Sequence, residues 1–344
     1  MIADKARDTT RILVLRRDNI GDLVCTTPLI RSLRAQLPAA RIVALVNRYN
    51  APVLSGNPDL DAVLSYQKTK HRSADESLIG IYARRLRTLL ELRRQQFDWM
   101  LLPGGAQASA LRVARLIAPR RSLMREAADS AGGPHEVEQS CALLARMGLN
   151  YETPAARVVA DEASVRHLAA KVRSGLGFGP AQLVGVHISA RKASQRWPAE
   201  RYAELLRRLP SGPDTAYLLL WAPGSARNAL HPGDDEKAAE MEARLQGLPL
   251  APVATHRLED LIAALALCDR VICADGGAMH LAAALGKPIV CLFGDSDAAR
   301  WRPWQTAFEL LQPPSRNVAD IMVEEVIDAY QRLLRAQPHG PMTR

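Results

Sequence analysis

The run Ile12-Leu13-Val14-Leu15 breaks into Arg16-Arg17-Asp18-Asn19-Ile20-Gly21-Asp22, after which Leu23, Leu29, Ile30, Leu33 and Leu37 recur at helical spacing. An aliphatic run without polar alternation suits a strand covered on both faces. With a helix from about Asp22 to Leu37 behind it, it reads as the opening of a parallel α/β sheet. Working outward, Ile42–Val46 and Ala62–Leu64 read as further strands, Ile81–Arg94 as a helix, and Trp99–Leu102 as a strand closed by Pro103-Gly104-Gly105.

The pattern restarts after Tyr151. A helix over Glu162–Arg173 and a breaker cluster over Gly175–Pro180 lead into a strand over Leu183–Ile188. Trp197-Pro198 opens a helix to Leu209, Pro suiting a first turn. Strands over Tyr217–Leu220, Val271–Ala274 and Pro288–Phe293 alternate with helices over Glu236–Leu245, Leu258–Cys268, Ala278–Leu285 and Val318–Leu334. Two α/β domains follow, residues 1–160 and 161–344.

Charge separates the halves. Residues 1–150 carry 23 Lys+Arg against 14 Asp+Glu, while the remainder holds 22 of each, so the first half carries the whole net charge of +9. Such asymmetry concerns partners rather than fold. With 48% hydrophobic and 24% charged residues, wholesale disorder is excluded. Cys25, Cys141, Cys268, Cys273 and Cys291 form no CxxC pair, so neither a disulfide framework nor a zinc site is expected, and a reducing compartment is. Met1–Thr10 is polar, and the longest apolar run, Leu261–Cys268, falls far short of the ~20 residues of a membrane span. A soluble intracellular protein is expected.

Ligands of open α/β sheets gather at the carboxyl ends of strands, so the segments just after strands are the ones that matter. After the first strand there is one glycine where a dinucleotide fold wants G-x-G-x-x-G, which disfavours NAD or FAD. Asp22 there reads either as a helix-start carboxylate or as a general base. In Val271-Ile-Cys-Ala-Asp275-Gly276-Gly277-Ala-Met-His280, paired glycines at a helix start let an anion such as phosphate approach the backbone N–H groups. Asp275 suits a ribose hydroxyl or orients those N–H groups, and His280 suits a phosphate oxygen; the plain alternative is a strand–turn–helix joint with a half-buried histidine. In His187-Ile-Ser189-Ala-Arg191-Lys192-Ala-Ser194-Gln-Arg196-Trp197-Pro198, three cations beside two serines suit a diphosphate without metal, or else form a solvated loop. Asp234-Asp235-Glu236 has the charge to hold a metal, but it stands where a helix begins and so reads first as helix capping.

Taken together, R-x-D-x-I-G-D-x-x-x-T-x-P over Arg16–Pro28, the R-W-P segment at Arg196, and D-G-G-x-x-H-L-A-A-A-L-G-K-P over Asp275–Pro288 resemble glycosyltransferase family 9, the family of the ADP-heptose:lipopolysaccharide heptosyltransferases. The resemblance implies an α/β fold of GT-B type: two Rossmann-like domains whose parallel sheets face a central cleft. The acceptor side would lie in the first domain, the nucleotide-sugar side in the second, and a C-terminal helix over about 318–334 would return toward the first. It places the catalytic carboxylate on Asp22 and nucleotide-sugar contacts on Asp275, Gly276, Gly277 and His280, joined by Ser189, Lys192 and Arg196. Many members carry Thr at the position of Gly276 and Lys at that of Gln195, so here Lys192 or Arg196 must supply the cation.

The implied reaction is an inverting transfer without metal or cofactor. Asp22 takes the proton of the acceptor hydroxyl, and the departing nucleoside diphosphate is held by the second-domain loops. ADP-heptose is the expected donor and a lipopolysaccharide core or lipid A–Kdo the acceptor. Lys68, Lys70, Arg72, Arg120 and Arg121 are the acceptor-binding candidates within a basic set that includes Arg84, Arg85, Arg87, Arg93 and Arg94 on one helix. A domain of this charge suits a phosphorylated, carboxylated acceptor on an anionic leaflet. The expectation is therefore a cytoplasmic monomer, peripheral to the inner membrane's cytoplasmic face, with no nucleic-acid partner because no such motif is present. Two readings stand beside it: an enzyme using another nucleotide sugar or acceptor, and a non-catalytic sugar-nucleotide-binding homologue.

Overall fold

The computed structural model describes residues 10–66, 78–126, 133–210, 212, 214–228 and 232–336. The chain divides into two units, Met1–Val159 and Ala160–Arg344.

The first unit holds β1 (Arg11–Leu15), α1 (Ile20–Val24), α2 (Thr27–Gln36), β2 (Arg41–Asn47), β3 (Ala62–Tyr66), α3 (Leu78–Arg94), β4 (Trp99–Leu102), α4 (Ala108–Ile117), β5 (Arg121–Met124) and α5 (Glu136–Arg146). Its sheet runs β3-β2-β1-β4-β5, and every neighbouring pair is parallel. Leu13 and Leu15 of β1 pack with Val43, Leu45, Met100 and Leu102 against Leu92, Ala110, Ala114 and Ile117 of α3 and α4. Alternation along a strand turns the equally buried Ile12 and Val14 to the other face. Burial of both faces is why β1 has no polar member inside it.

The single helix expected from Asp22 is two. Thr26 Oγ1 donates to the Asp22 carbonyl at 2.9 Å and Thr27 Oγ1 to that of Val24 at 2.7 Å, closing α1. Pro28 then sits in the first turn of α2, where its missing N–H costs nothing. The periodicity of the leucines spans the break because both short helices bury one side.

The second unit holds α6 (Glu162–Leu176), β6 (Gln182–His187), α7 (Ala199–Arg208), β7 (Thr215–Trp221), α8 (Asp235–Arg244), β8 (Leu250–Ala254), α9 (Leu258–Leu267), β9 (Arg270–Ala274), α10 (Gly277–Ala284), β10 (Ile289–Leu292), α11 (Ala298–Trp301), β11 (Phe308–Leu311) and α12 (Val323–Arg335). Its sheet, β11-β10-β9-β6-β7-β8, is again parallel throughout. In chain order this is the 3-2-1-4-5-6 arrangement of a doubly wound fold, and the first unit repeats it without a sixth strand. Gly177 ends α6 in the left-handed region at φ +76°, which is what the breaker cluster foretold. Val323, Val326, Ala329, Tyr330 and Leu333 line the buried side of α12, which packs on α7, β10 and β11 of its own unit.

In such sheets the strand order reverses beside the first strand, and a crevice opens there at the carboxyl ends. In the first unit that point lies between β1 and β4, and in the second between β6 and β9. The segments singled out in the sequence, after β1, β6 and β9, flank these two points.

Candidate active site

Asp22 lies in the first turn of α1, and both its oxygens are engaged. Arg16 Nη2 donates to Oδ1 at 2.6 Å; the backbone and side-chain N–H groups of Asn19 donate to Oδ2 at 3.1 and 3.0 Å. Its side chain keeps 14% exposure. Burial pushes the carboxyl up, but the charge and hydrogen bond of Arg16 and the two Asn19 bonds outweigh it and hold Asp22 below the ordinary carboxylate range. Asp22 is thus an ionised, oriented acceptor at neutral pH in the first turn of a helix.

Arg16 is 2% exposed and serves three carboxylates. Its Nη2 also donates to Glu136 Oε1 at 2.8 Å, and its Nε lies 3.0 Å from Asp18 Oδ2. Burial works against the guanidinium charge, yet Asp22, Glu136 and Asp18 together raise its pKa. Glu136, the fully buried first residue of α5, also accepts from Arg125 Nη1 at 2.8 and 2.9 Å. Gln107 donates to Asp18 Oδ1 at 3.1 Å, and Leu15, Arg17, Asp18, Leu102, Gly104, Gly105, Gln107 and Ala110 line a crevice between β1 and β4. A Cβ on Gly104 would stand 2.7 Å from Asp18 Oδ2, so the glycine after β4 lets the two loops meet.

At the second switch point, Asp275 is 7% exposed, and Gln195 Nε2 donates to its Oδ2 at 2.7 Å and to Ser296 Oγ at 3.2 Å. Gly276 and Gly277 open α10, and nothing lies within 4 Å of the Cβ that Gly276 lacks. The first N–H groups of α10 have no carbonyl within the helix to bind, which suits an anion. His280 is 5% exposed and meets Trp301 edge-on at 5.9 Å between centroids. Close packing joins these loops: a Cβ on Gly294, after β10, would stand 2.3 Å from the Ser194 carbonyl oxygen.

The loop cations divide by environment. Arg196 pairs with Asp234, itself 2% exposed. Lys192 Nζ meets Asp295 at 3.1 Å with both side chains about half in water, an exchangeable pair. Lys237 donates to the carbonyls of Ile188 at 3.1 Å and Trp197 at 2.6 Å, tying both ends of the loop that carries them. Burial carries Lys237 down to about 8, against the pull of Asp234. Ser189 Oγ accepts from Ala222 N at 2.9 Å and so joins the loop after β7.

Asp275, Gly276, Gly277 and His280 thus gather at the second switch point with Gln195, a residue whose role the sequence did not show. The acidic triplet does not cap α8: Asp234 makes no cap bond, while Asp235 accepts from Trp221 Nε1 at 2.8 Å and Gly224 N at 2.9 Å, clamping the loop after β7. Arg120 and Arg121 stand at the start of β5, Arg120 on Asp98 at 3.1 Å and Arg121 over the Trp99 ring at 5.0 Å. In a parallel sheet that is the amino end, so they are not brought to Asp22; Arg17, Arg48 and Arg125 follow β1, β2 and β5 at the carboxyl end instead. Lys68, Lys70 and Arg72 lie outside the described residues. Among the described residues no three His, Cys, Asp or Glu side chains converge as a metal-ligand set, and no helix is long and apolar enough to cross a membrane.

Residues 85–317 match the family model for glycosyltransferase family 9 (heptosyltransferase). The chain belongs to glycosyltransferase family 9. Lipopolysaccharide heptosyltransferase 3 of Escherichia coli is 24% identical over 353 residues, 93% of this chain and 98% of its own. In structure, a family 9 glycosyl transferase from Veillonella parvula covers 97% of this chain and 100% of its own at TM-score 0.78 and 19% identity. An E. coli heptosyltransferase solved with ADP-2-deoxy-2-fluoro heptose covers 95% and 99% at TM-score 0.70 and 18% identity. These neighbours share the GT-B fold with this family 9 chain.

Proposed function

We propose that the protein is an inverting heptosyltransferase that moves heptose from ADP-heptose to a lipopolysaccharide core acceptor. The observation that carries the reading is Asp22: an ionised carboxylate, held from two sides yet still reached by solvent, at the carboxyl end of β1 in a family 9 chain. The named relatives support the sugar and the acceptor class, and the ADP-sugar in one solved neighbour supports the donor.

In this reading Asp22 accepts the proton of the acceptor hydroxyl as its oxygen forms the new bond to the anomeric carbon. The bond from that carbon to the diphosphate breaks on the opposite side, and the configuration inverts. General-base assistance contributes about 10²–10⁴-fold. The departing ADP is stabilised by the first N–H groups of α10, by His280 and by Lys192, with Asp275 on a ribose hydroxyl and no metal taking part. Lys192 is preferred over Arg196 because Arg196 already neutralises a buried carboxylate, whereas Lys192 exchanges an exposed partner for phosphate at little cost. The excess positive charge of residues 1–150 fits an anionic acceptor and a cytoplasmic enzyme resting on the anionic inner leaflet.

A thermal-shift series with ADP, UDP and GDP tests the donor: ADP should stabilise the protein most, and Lys192→Ala should weaken that response more than any effect it has on the unliganded melting temperature. A larger response to UDP or GDP would refute the ADP-sugar assignment. Core oligosaccharide from a strain lacking the gene should lack one heptose by mass; an unchanged core would refute the acceptor assignment.

A further inference from the structure

We propose that Glu136 is a positioning residue for the reaction: by sharing one guanidinium nitrogen with Asp22, and by being clamped in turn by Arg125, it fixes the base against the acceptor hydroxyl. The inference rests on the reading of Asp22 as that base. Nothing in the local sequence ties residue 136 to residue 22, but one atom of the structure does. Arg16 Nη2 stands 2.6 Å from Asp22 Oδ1 and 2.8 Å from Glu136 Oε1, so each of its two hydrogens serves one carboxylate. A planar guanidinium whose Nη2 is claimed from both sides has little freedom to rotate. Were Glu136 neutral, Arg16 would be free to turn wholly onto Asp22 or Asp18, and Asp22 would lose its fixed direction.

The burial of these groups shows that the arrangement is built rather than incidental. Arg16 is 2% exposed and Glu136 wholly buried, while Arg125 closes the outer end with 20% exposure. Among the described residues of this unit, the charges that face Asp22 are Arg16 and, behind it, Asp18, Glu136 and Arg125. In the line Asp22–Arg16–Glu136–Arg125 signs alternate, so Arg16 sits between two carboxylates and Glu136 between two guanidiniums. The line also spans the sheet's end: Arg16 follows β1, Arg125 follows β5, and Glu136 opens α5. Glu136 thereby couples the site carboxylate to the edge strand and its helix. It touches no reacting atom, and its contribution passes through Arg16.

The test is transfer from ADP-heptose to core-truncated lipopolysaccharide by purified full-length Glu136→Gln. Misplacement of a reacting group by about 1 Å costs up to about 10²-fold, so kcat should fall roughly 10- to 100-fold. The KM for ADP-heptose and the Kd for ADP should stay within about twofold, since the second unit is untouched, a split that general destabilisation would not produce. On an Asp22→Asn background the same substitution should produce no further loss, because both act on one step. Glu136→Gln leaves the buried Arg16 and the partly exposed Arg125 facing fewer carboxylates; if it does not fold, the Glu136→Gln/Arg125→Gln pair, which keeps the net charge of the network, decides in its place with the same expected loss. Full kcat in whichever variant folds, or an equal further loss on the Asp22→Asn background, would overturn the proposal. Full turnover by Asp22→Asn alone would instead overturn the reading of the base, so the two failures are told apart.

Discussion

Gly294→Ala offers a sharp test of how the second site is assembled. A Cβ there would stand 2.3 Å from the Ser194 carbonyl oxygen, 2.8 Å from its carbonyl carbon and 3.2 Å from Oγ. Carbon and oxygen do not approach closer than about 3 Å, so the backbone around Ser194 must retreat by most of an ångström. Backbone cannot rotate away as a flexible side chain would. Gln195 is carried with it, and its 2.7 Å bond to Asp275 lengthens toward the limit of a hydrogen bond. Overpacking costs about 1–3 kcal/mol, and a hydrogen bond to a buried charge about 1.5–3 kcal/mol. Gly294→Ala should therefore lower the unfolding free energy by roughly 2.5–6 kcal/mol in urea denaturation. ADP affinity measured by calorimetry should fall by about tenfold or more, because about 1.4 kcal/mol is a factor of ten and the anion-facing loop has moved. A variant with unchanged stability and unchanged ADP affinity would refute the claim that this glycine lets the two loops meet.

Three further outcomes follow from other residues. Gly175 lies inside α6 with nothing within 4 Å of a Cβ, so Gly175→Ala should raise stability by about 0.5–1 kcal/mol, and a loss in urea denaturation would contradict it. His187 is carried down to about 4 by burial and by the charge of Lys237. An unfolded histidine takes its proton near pH 6.5 and the buried ring does not. Stability should therefore fall as pH drops from about 6.5 to 4, by up to about 3 kcal/mol, and His187→Leu should flatten that limb in melts against pH. Arg196→Ala should destabilise the fold by about 3–5 kcal/mol, because it leaves Asp234 buried and unpaired; Arg196→Ala/Asp234→Ala should recover most of that, and a stable single variant would refute the pairing.

Much of the fold was legible because central strands buried on both faces read as unbroken apolar runs: β1, β2, β4, β6, β7, β9 and β10 all do. The strands that escaped, β5, β8 and β11, lie at sheet edges, where one side of the ladder is open. Arg121-Ser-Leu-Met124 is half polar, and Pro252 interrupts Leu250–Ala254, a residue tolerated only because an edge strand need not donate from that N–H. At the candidate sites, Asp275 stood out because it follows β9 directly, and Asp22 because it lies in the first helix after β1. Glu136 did not: it opens a helix 114 positions beyond Asp22 and looks like any acidic first-turn residue. Gln195 stood out only as a departure from the family's Lys, and its bond to Asp275 spans 80 positions that only folding joins. The acidic triplet misled because Asp and Glu before a helix usually cap it; Trp221 and Arg196 compete for those carboxylates and win.

The measurement that bears most directly on the account is the mass of core-truncated lipopolysaccharide after incubation with the purified protein and ADP-heptose, run beside Asp22→Asn. The wild-type chain should add the mass of one heptose, and proton NMR of the product should show its anomeric configuration inverted. With Asp22→Asn the rate should be lower by about 10²–10⁴-fold at unaltered ADP affinity. No added heptose with the wild-type chain, or transfer by Asp22→Asn at the wild-type rate, would contradict the account.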